Sequence, residues 1–60
     1  MRKHKIVIIL VERDGMALED AIARVDEVRE MILKSPLTEA EDILADELGL
    51  ELDYLFDILL

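Results

Sequence analysis

The sequence predicts an all-α protein, a small bundle of three to four short helices forming a single domain over residues 1–60. Apolar residues recur at three- and four-residue spacing through most of the chain. Gly15, Pro36 and Gly49 divide it into four short pieces. No two segments carry the strict alternation that a pair of strands requires. The predicted helices cover residues 3–14, 17–34, 38–48 and 52–59.

The first piece is compatible with two structures. Five of the six apolar residues from Ile6 to Val11 are β-branched, which favours a strand. A helix here also places basic residues near the positive end of its dipole. However, a strand would lack a partner within the chain and leave an unsatisfied edge. We therefore expect a helix over 3–14, with a β-α-α fold, in which a strand over 5–11 pairs between subunits, as the alternative.

The second piece has the clearest helical periodicity. Asp20 and Arg24 stand four residues apart and are expected to pair on its surface. The helix should end before Pro36, whose ring disfavours helical geometry at Ser35. A single apolar stripe is expected to face the core, made of Leu18, Ala21, Ile22, Val25, Val28 and Ile32.

The third piece begins with a candidate capping box, in which Thr38 caps the amide of Glu41 and the glutamate bonds back to the threonine amide. Gly49 suits the left-handed position after a helix, and Leu50 is expected to contact Leu44 or Ala45. The expected inward face of this helix consists of Ala40, Ile43, Leu44 and Leu48.

The fourth piece is apolar over more than one face. Leu52, Leu55, Phe56 and Leu59 lie on one side, whereas Tyr54 and Ile58 lie on another. One short helix in a monomer of this size cannot easily bury both sides. We therefore expect part of the C-terminal piece to contact another chain.

Self-association is expected on stability grounds too. A domain of about 60 residues buries only about 60% of the surface that its unfolded chain exposes. Disulfides are excluded because the chain has no cysteine, and a single histidine argues against a structural zinc site. A homodimer or higher oligomer remains. The predicted interface comprises Ile6, Ile9, Leu10, Tyr54, Leu55, Phe56, Ile58 and Leu59.

Charge limits the other partners. The chain has 15 acidic residues against seven Lys and Arg, a net charge of −8, and all its carboxylates follow Val11. The electrostatic field of such a chain repels nucleic acid and anionic lipid, but it attracts a basic protein. It also allows the basic start (Arg2, Lys3 and Lys5) of one subunit to meet an acidic helix of another.

The apolar run at residues 6–11 is too short for a signal peptide or a membrane span. We expect a cytoplasmic protein.

Residues with catalytic potential are sparse. His4 is the only histidine and lies among basic residues near the N-terminus. Ser35 and Thr38 are accounted for by turn and cap roles. No glycine-rich phosphate loop and no calcium-loop pattern occurs. We therefore expect no catalysis, no cofactor and no bound metal.

Three stretches carry a resemblance: residues 12–21 (ERDGMALEDA), 25–30 (VDEVRE) and 47–57 (ELGLELDYLFD). The chain resembles short uncharacterised proteins of bacterial phages and prophages over most of its length. The resemblance implies a helical first segment and a small interaction or accessory protein in the cytoplasm of a bacterial host, and it adds a basic host or phage protein as a candidate partner. This sequence departs from it at Ile8, where a polar residue would be usual, and at Ala17, where a capping serine or threonine would be expected.

A second functional hypothesis follows from the strand alternative. Strand 5–11 followed by two helices would match the order of elements in a ribbon-helix-helix DNA-binding regulator. A ribbon that reads DNA needs polar side chains on its outer face, and residues 6–11 offer only aliphatic ones. The acidic balance opposes DNA binding as well.

Overall fold

The computed structural model describes residues 3–59, with side chains from His4 onwards. Within this range every regular element is helical, which confirms the predicted all-α fold. The four α-helices are α1 (Lys3–Asp14), α2 (Leu18–Lys34), α3 (Ala40–Ile43) and α4 (Leu55–Leu59).

Tighter and wider helical turns extend the two short helices. A 3-10 turn (Leu37–Glu39) leads into α3, and a π turn (Leu44–Leu48) follows it. Another 3-10 turn (Leu52–Tyr54) precedes α4. The third segment therefore runs over 37–48, one residue earlier than predicted, and the fourth segment covers 52–59 as predicted.

The first piece forms helix α1, so the alternative with a strand over 5–11 is wrong. Ile6, Val7 and Leu10 are all buried, and their spacing places them on one helical face. Burial of this face and the internally satisfied backbone outweigh the β-branched composition and the unfavourable dipole. The structural basis of the ribbon-helix-helix hypothesis is lost with the strand.

Both glycines end helices in the left-handed region, as predicted for Gly49. Gly15 has φ of +70° and Gly49 has φ of +65°, a conformation that favours residues without a Cβ. The residue after each glycine donates a backbone hydrogen bond to the helical segment before it. The amide of Met16 donates to the carbonyl of Leu10 at 3.3 Å, and that of Leu50 donates to Leu44 at 3.2 Å.

The capping box at Thr38 and Glu41 does not form. The N-cap positions are Pro36 for the 3-10 turn and Glu39 for α3, and neither makes a side-chain cap bond. The chain instead enters the third segment through the 3-10 turn, where the Glu39 amide donates to the Pro36 carbonyl at 2.9 Å. This tight entry places Thr38 inside a turn, so the predicted cap position is lost.

One core joins all four segments. Helices α1 and α2 form a hairpin, and the third and fourth segments pack against it. Ile6 and Leu10 meet Leu44 and Ile58 in the core, each at most 1% exposed. The remaining buried members are Val7, Ala21, Val25, Val28, Ile32, Ala40, Leu48 and Leu50.

Candidate interaction surface

The structure divides the eight predicted interface residues into three groups. Ile6, Leu10 and Ile58 are in the core, so they have no surface left for a second chain. Phe56 is 65% exposed. The other four are partly buried against the core, namely Ile9, Tyr54, Leu55 and Leu59.

An exposed apolar surface lies where α1 and α2 run side by side. Ile8, Leu18 and Ile22 are 53%, 59% and 43% exposed, respectively. With His4 and Val7 they line an open groove of about 350 Å³. These five residues define the hairpin face. It lies at the edge of the core, because Val7 is itself buried and Leu18 and Ile22 flank the buried stripe of α2. No residue of the third or fourth segment lines this groove among the residues that the structure describes.

The prediction that the whole apolar stripe of α2 faces the core is only partly correct. Only Ala21, Val25, Val28 and Ile32 are buried, whereas Leu18 and Ile22 at the edge of the stripe are exposed. The stripe is wider than the neighbouring helices can cover. Ile8 was not among the predicted interface residues, although the resemblance marks its position as usually polar and a residue two positions from Ile6 and Leu10 on a helix points well away from them.

A second apolar surface lies on the fourth segment. Leu52 and Phe56, four residues apart, are 46% and 65% exposed. Ile58 turns inward, and this leaves Leu52 and Phe56 outside. Asp53 is also exposed and stands three residues before Phe56, a spacing that brings side chains together on a helical segment. Exposed Glu51 precedes Leu52, and partly exposed Asp57 follows Phe56. We call these five residues the acidic-aromatic face.

Charge is distributed unevenly between the two halves that carry these faces. Residues 1–34 contain seven acidic residues and seven Lys and Arg, so the hairpin half is balanced. Residues 35–60 contain eight acidic residues and no basic residue. The whole net charge of −8 therefore belongs to the half that packs against the hairpin.

Two arginines of the hairpin hold the end of the third segment. Arg13 donates to the carbonyls of Leu48 at 2.5 Å and Gly49 at 3.3 Å. Arg24 donates to the Glu47 carboxylate at 2.5 Å and to its backbone carbonyl at 3.3 Å. Cations at a helix C-terminus interact favourably with its dipole and its unsatisfied carbonyls. These contacts fix the acidic third segment on the hairpin.

Hydrogen bonds of the same arginines shift the pKa values of Arg24 and Asp14. The hydrogen bond from Arg24 to Glu47 raises the pKa of the guanidinium, and a bond to Glu27 adds to it. Arg24 therefore does not form the predicted pair with Asp20, because it turns toward the third segment. Arg13 also bonds to Asp14, with Nε at 2.9 Å from Oδ1, and this bond lowers the pKa of the carboxyl.

The basic start is only partly described. The Lys5 ammonium lies 5.5 Å from the centre of the Tyr54 ring in the same chain, a cation–π contact. Arg2 and the side chain of Lys3 lie outside the described residues. The predicted contact between the basic start and another subunit's acidic helix remains a prediction.

The candidate catalytic groups are not brought together. His4 is exposed at the rim of the groove, and the Ser35 hydroxyl donates to the Met31 carbonyl at 2.8 Å at the end of α2. Across the part of the chain that the structure describes, no three His, Cys, Asp or Glu side chains form a possible metal cluster.

Helices α1–α4, as described over residues 3–59, include none with the length and apolar character needed to cross a membrane. No family model, curated protein or solved structure matches this chain.

Proposed function

We propose that this protein is a small protein–protein interaction module that functions as a homodimer, with the hairpin face as its dimer interface. The observation that supports this is the exposure of Ile8, Leu18 and Ile22 around one groove. Large aliphatic side chains gathered on one exposed face are typical of interaction sites.

The charge distribution favours a second copy as the occupant of this groove. Two hairpin faces can meet about a two-fold axis, so that each apolar patch covers its counterpart. The hairpin halves are charge-balanced, and the acidic halves would then lie on the outer sides of the dimer. Mutual repulsion between the two acidic halves is smallest in this arrangement.

An accessory role of phage type is the part of this proposal that rests on the sequence resemblance alone. The proposed dimer does not depend on a phage origin. Dimerisation would bury apolar side chains that lie outside the core of this short chain.

Sedimentation equilibrium at micromolar concentration tests the interface. The wild-type protein should have twice the chain mass of 6.9 kDa. Ile22→Asp places a charge in the centre of the face and should weaken the dimer by about tenfold or more, since an unpaired buried charge is costly. Ile22 is 43% exposed in the single chain, so the variant should retain its helical circular dichroism.

Phe56→Ser is the matched control, because Phe56 is also exposed but belongs to the other face. This variant should remain dimeric. A wild-type protein that sediments as a 6.9 kDa monomer, or an Ile22→Asp protein that dimerises normally, would refute the proposed interface.

A further inference from the structure

We infer that the acidic-aromatic face (Glu51, Leu52, Asp53, Phe56 and Asp57) is a second docking surface, which binds a cationic amphipathic segment of another protein. The inference builds on the proposed function only in taking the protein to be an interaction module. It concerns a different surface and a different partner.

The apolar centre of this face is formed by two side chains that the fold does not use. Phe56 and Leu52 remain 65% and 46% exposed, although Ile58 in the same segment is 1% exposed. An exposed aromatic residue next to an aliphatic one suits an anchor that fits between the apolar side chains of a partner.

The carboxylates around this centre select the charge of the partner. None of the Glu51, Asp53 and Asp57 side chains makes an ion pair or hydrogen bond with the residues that the structure describes. Residues 35–60 contain no lysine or arginine, and Lys5 of α1, which lies over the Tyr54 ring of this segment, makes no ion pair with these carboxylates. A partner with Lys or Arg beside its apolar residues would gain both apolar contact and charge complementarity.

A second copy of this chain does not suit this face. Two such faces in contact would bring Glu51, Asp53 and Asp57 of one copy against the same carboxylates of the other. Like charges in an interface are unfavourable, and burial would increase their repulsion. A cationic amphipathic helix avoids this conflict, because its apolar stripe and flanking positive charges match the face.

Binding of a synthetic peptide tests the inference. The probe is a helical peptide of Leu and Lys, with Leu at three- and four-residue spacing, labelled for fluorescence anisotropy. A peptide with Glu in place of every Lys is the charge control. The Lys peptide should bind and the Glu peptide should not, and added salt should weaken binding because it screens the charges.

Variants of the protein separate docking at this face from general attraction to an acidic chain. Phe56→Ser keeps every charge, yet it should weaken binding of the Lys peptide by about tenfold, as expected for loss of an anchor. Asp53→Asn with Asp57→Asn keeps the apolar centre and should weaken binding too. Ile22→Asp should leave peptide binding unchanged.

The inference is overturned if Phe56→Ser binds the Lys peptide as tightly as the wild-type protein does, or if the Glu peptide binds equally well. Failure of the proposed dimer gives a different pattern: a monomeric wild-type protein that still binds the Lys peptide through Phe56. A dimer that shows no Phe56-dependent binding would refute this inference alone.

Discussion

Ala17 occupies the N-cap of α2 without supplying a cap. Its backbone is extended, with φ of −65° and ψ of 148°, but no side chain accepts a hydrogen bond from the first turn of the helix. The longest helix of the protein therefore begins with amides that no capping side chain satisfies. Glu19 and Asp20 in the first turn interact favourably with the dipole and offset part of this deficit.

Replacement of Ala17 by Asp should stabilise the fold by about 1 kcal/mol, because its carboxylate can accept a bond from the amides of the first turn. Urea denaturation of the two proteins measures this difference. Ala23→Asp is the matched control, since Ala23 is exposed in the middle of α2 and aspartate is a poor residue there. An equal effect of the two substitutions would show that Ala17 is not a capping position.

Asp14 makes stability depend on pH. Its bond to Arg13 places its pKa in the folded protein below that in the unfolded chain. The stabilisation is therefore present above the unfolded pKa of about 3.9 and is lost as the pH falls through the lower, folded value.

Acidification from neutral pH to about pH 2 should therefore lower the unfolding free energy of the wild-type protein more than that of Asp14→Asn. Urea denaturation at both pH values measures the shift. The other carboxylates are present in both proteins, so their contributions cancel in the comparison. A difference that stays constant with pH would contradict the assigned role of the Arg13 bond.

At the scale of the elements, the attachment of the third segment depends on side chains from both helices of the hairpin. Arg13 comes from the last turn of α1 and Arg24 from the middle of α2. Their bonds to Glu47, Leu48 and Gly49 join residues 23 to 36 positions apart. The π turn over Leu44–Leu48 presents these carbonyls to the two guanidinium groups.

Arg24→Met retains most of the aliphatic stem but removes the donors, so it should destabilise the fold by about 1 kcal/mol, the usual size for a partly exposed charged pair. Denaturation of Arg24→Met, Glu47→Gln and the double variant measures the coupling. The two single effects should not add, because they remove the same interaction. Full additivity would show that Arg24 and Glu47 act independently.

Local sequence signals were sufficient for most element boundaries. Gly15, Pro36 and Gly49 mark real breaks, and periodicity located α2 and the inward residues Ala40, Leu44 and Leu48. The choice of helix for α1 required the argument that no partner strand exists, since its β-branched residues favour the opposite conformation.

The surface was harder to predict than the helices. Periodicity places Leu18 and Ile22 on the apolar stripe of α2 and Phe56 on an apolar side of the fourth segment, but it does not show how much of either side the neighbouring helices cover. In the fourth segment two faces were apolar, and the choice of Ile58 for the core depends on packing against distant residues. The contacts of Arg13 and Arg24 also join positions remote in sequence, which spacing along one helix cannot indicate.

The whole molecule places its hairpin groove and its net charge on different halves. The hairpin half is balanced and carries the groove formed by Ile8, Leu18 and Ile22, and the C-terminal half carries the net charge of −8. This separation allows one protein to present two interfaces of different chemistry. We expect self-association to be insensitive to added salt, whereas binding of a basic partner should weaken with it.

Distances between spin labels in the assembled protein test the dimer model most directly. The chain has no cysteine, so Glu19→Cys and Asp53→Cys each provide a single labelling site, at the edge of the hairpin face and on the acidic half, respectively. A dimer joined through the hairpin face predicts a short distance between the two labels at residue 19 and a clearly longer one between those at residue 53. The absence of any distance between subunits, or a shorter distance at residue 53, would contradict this model.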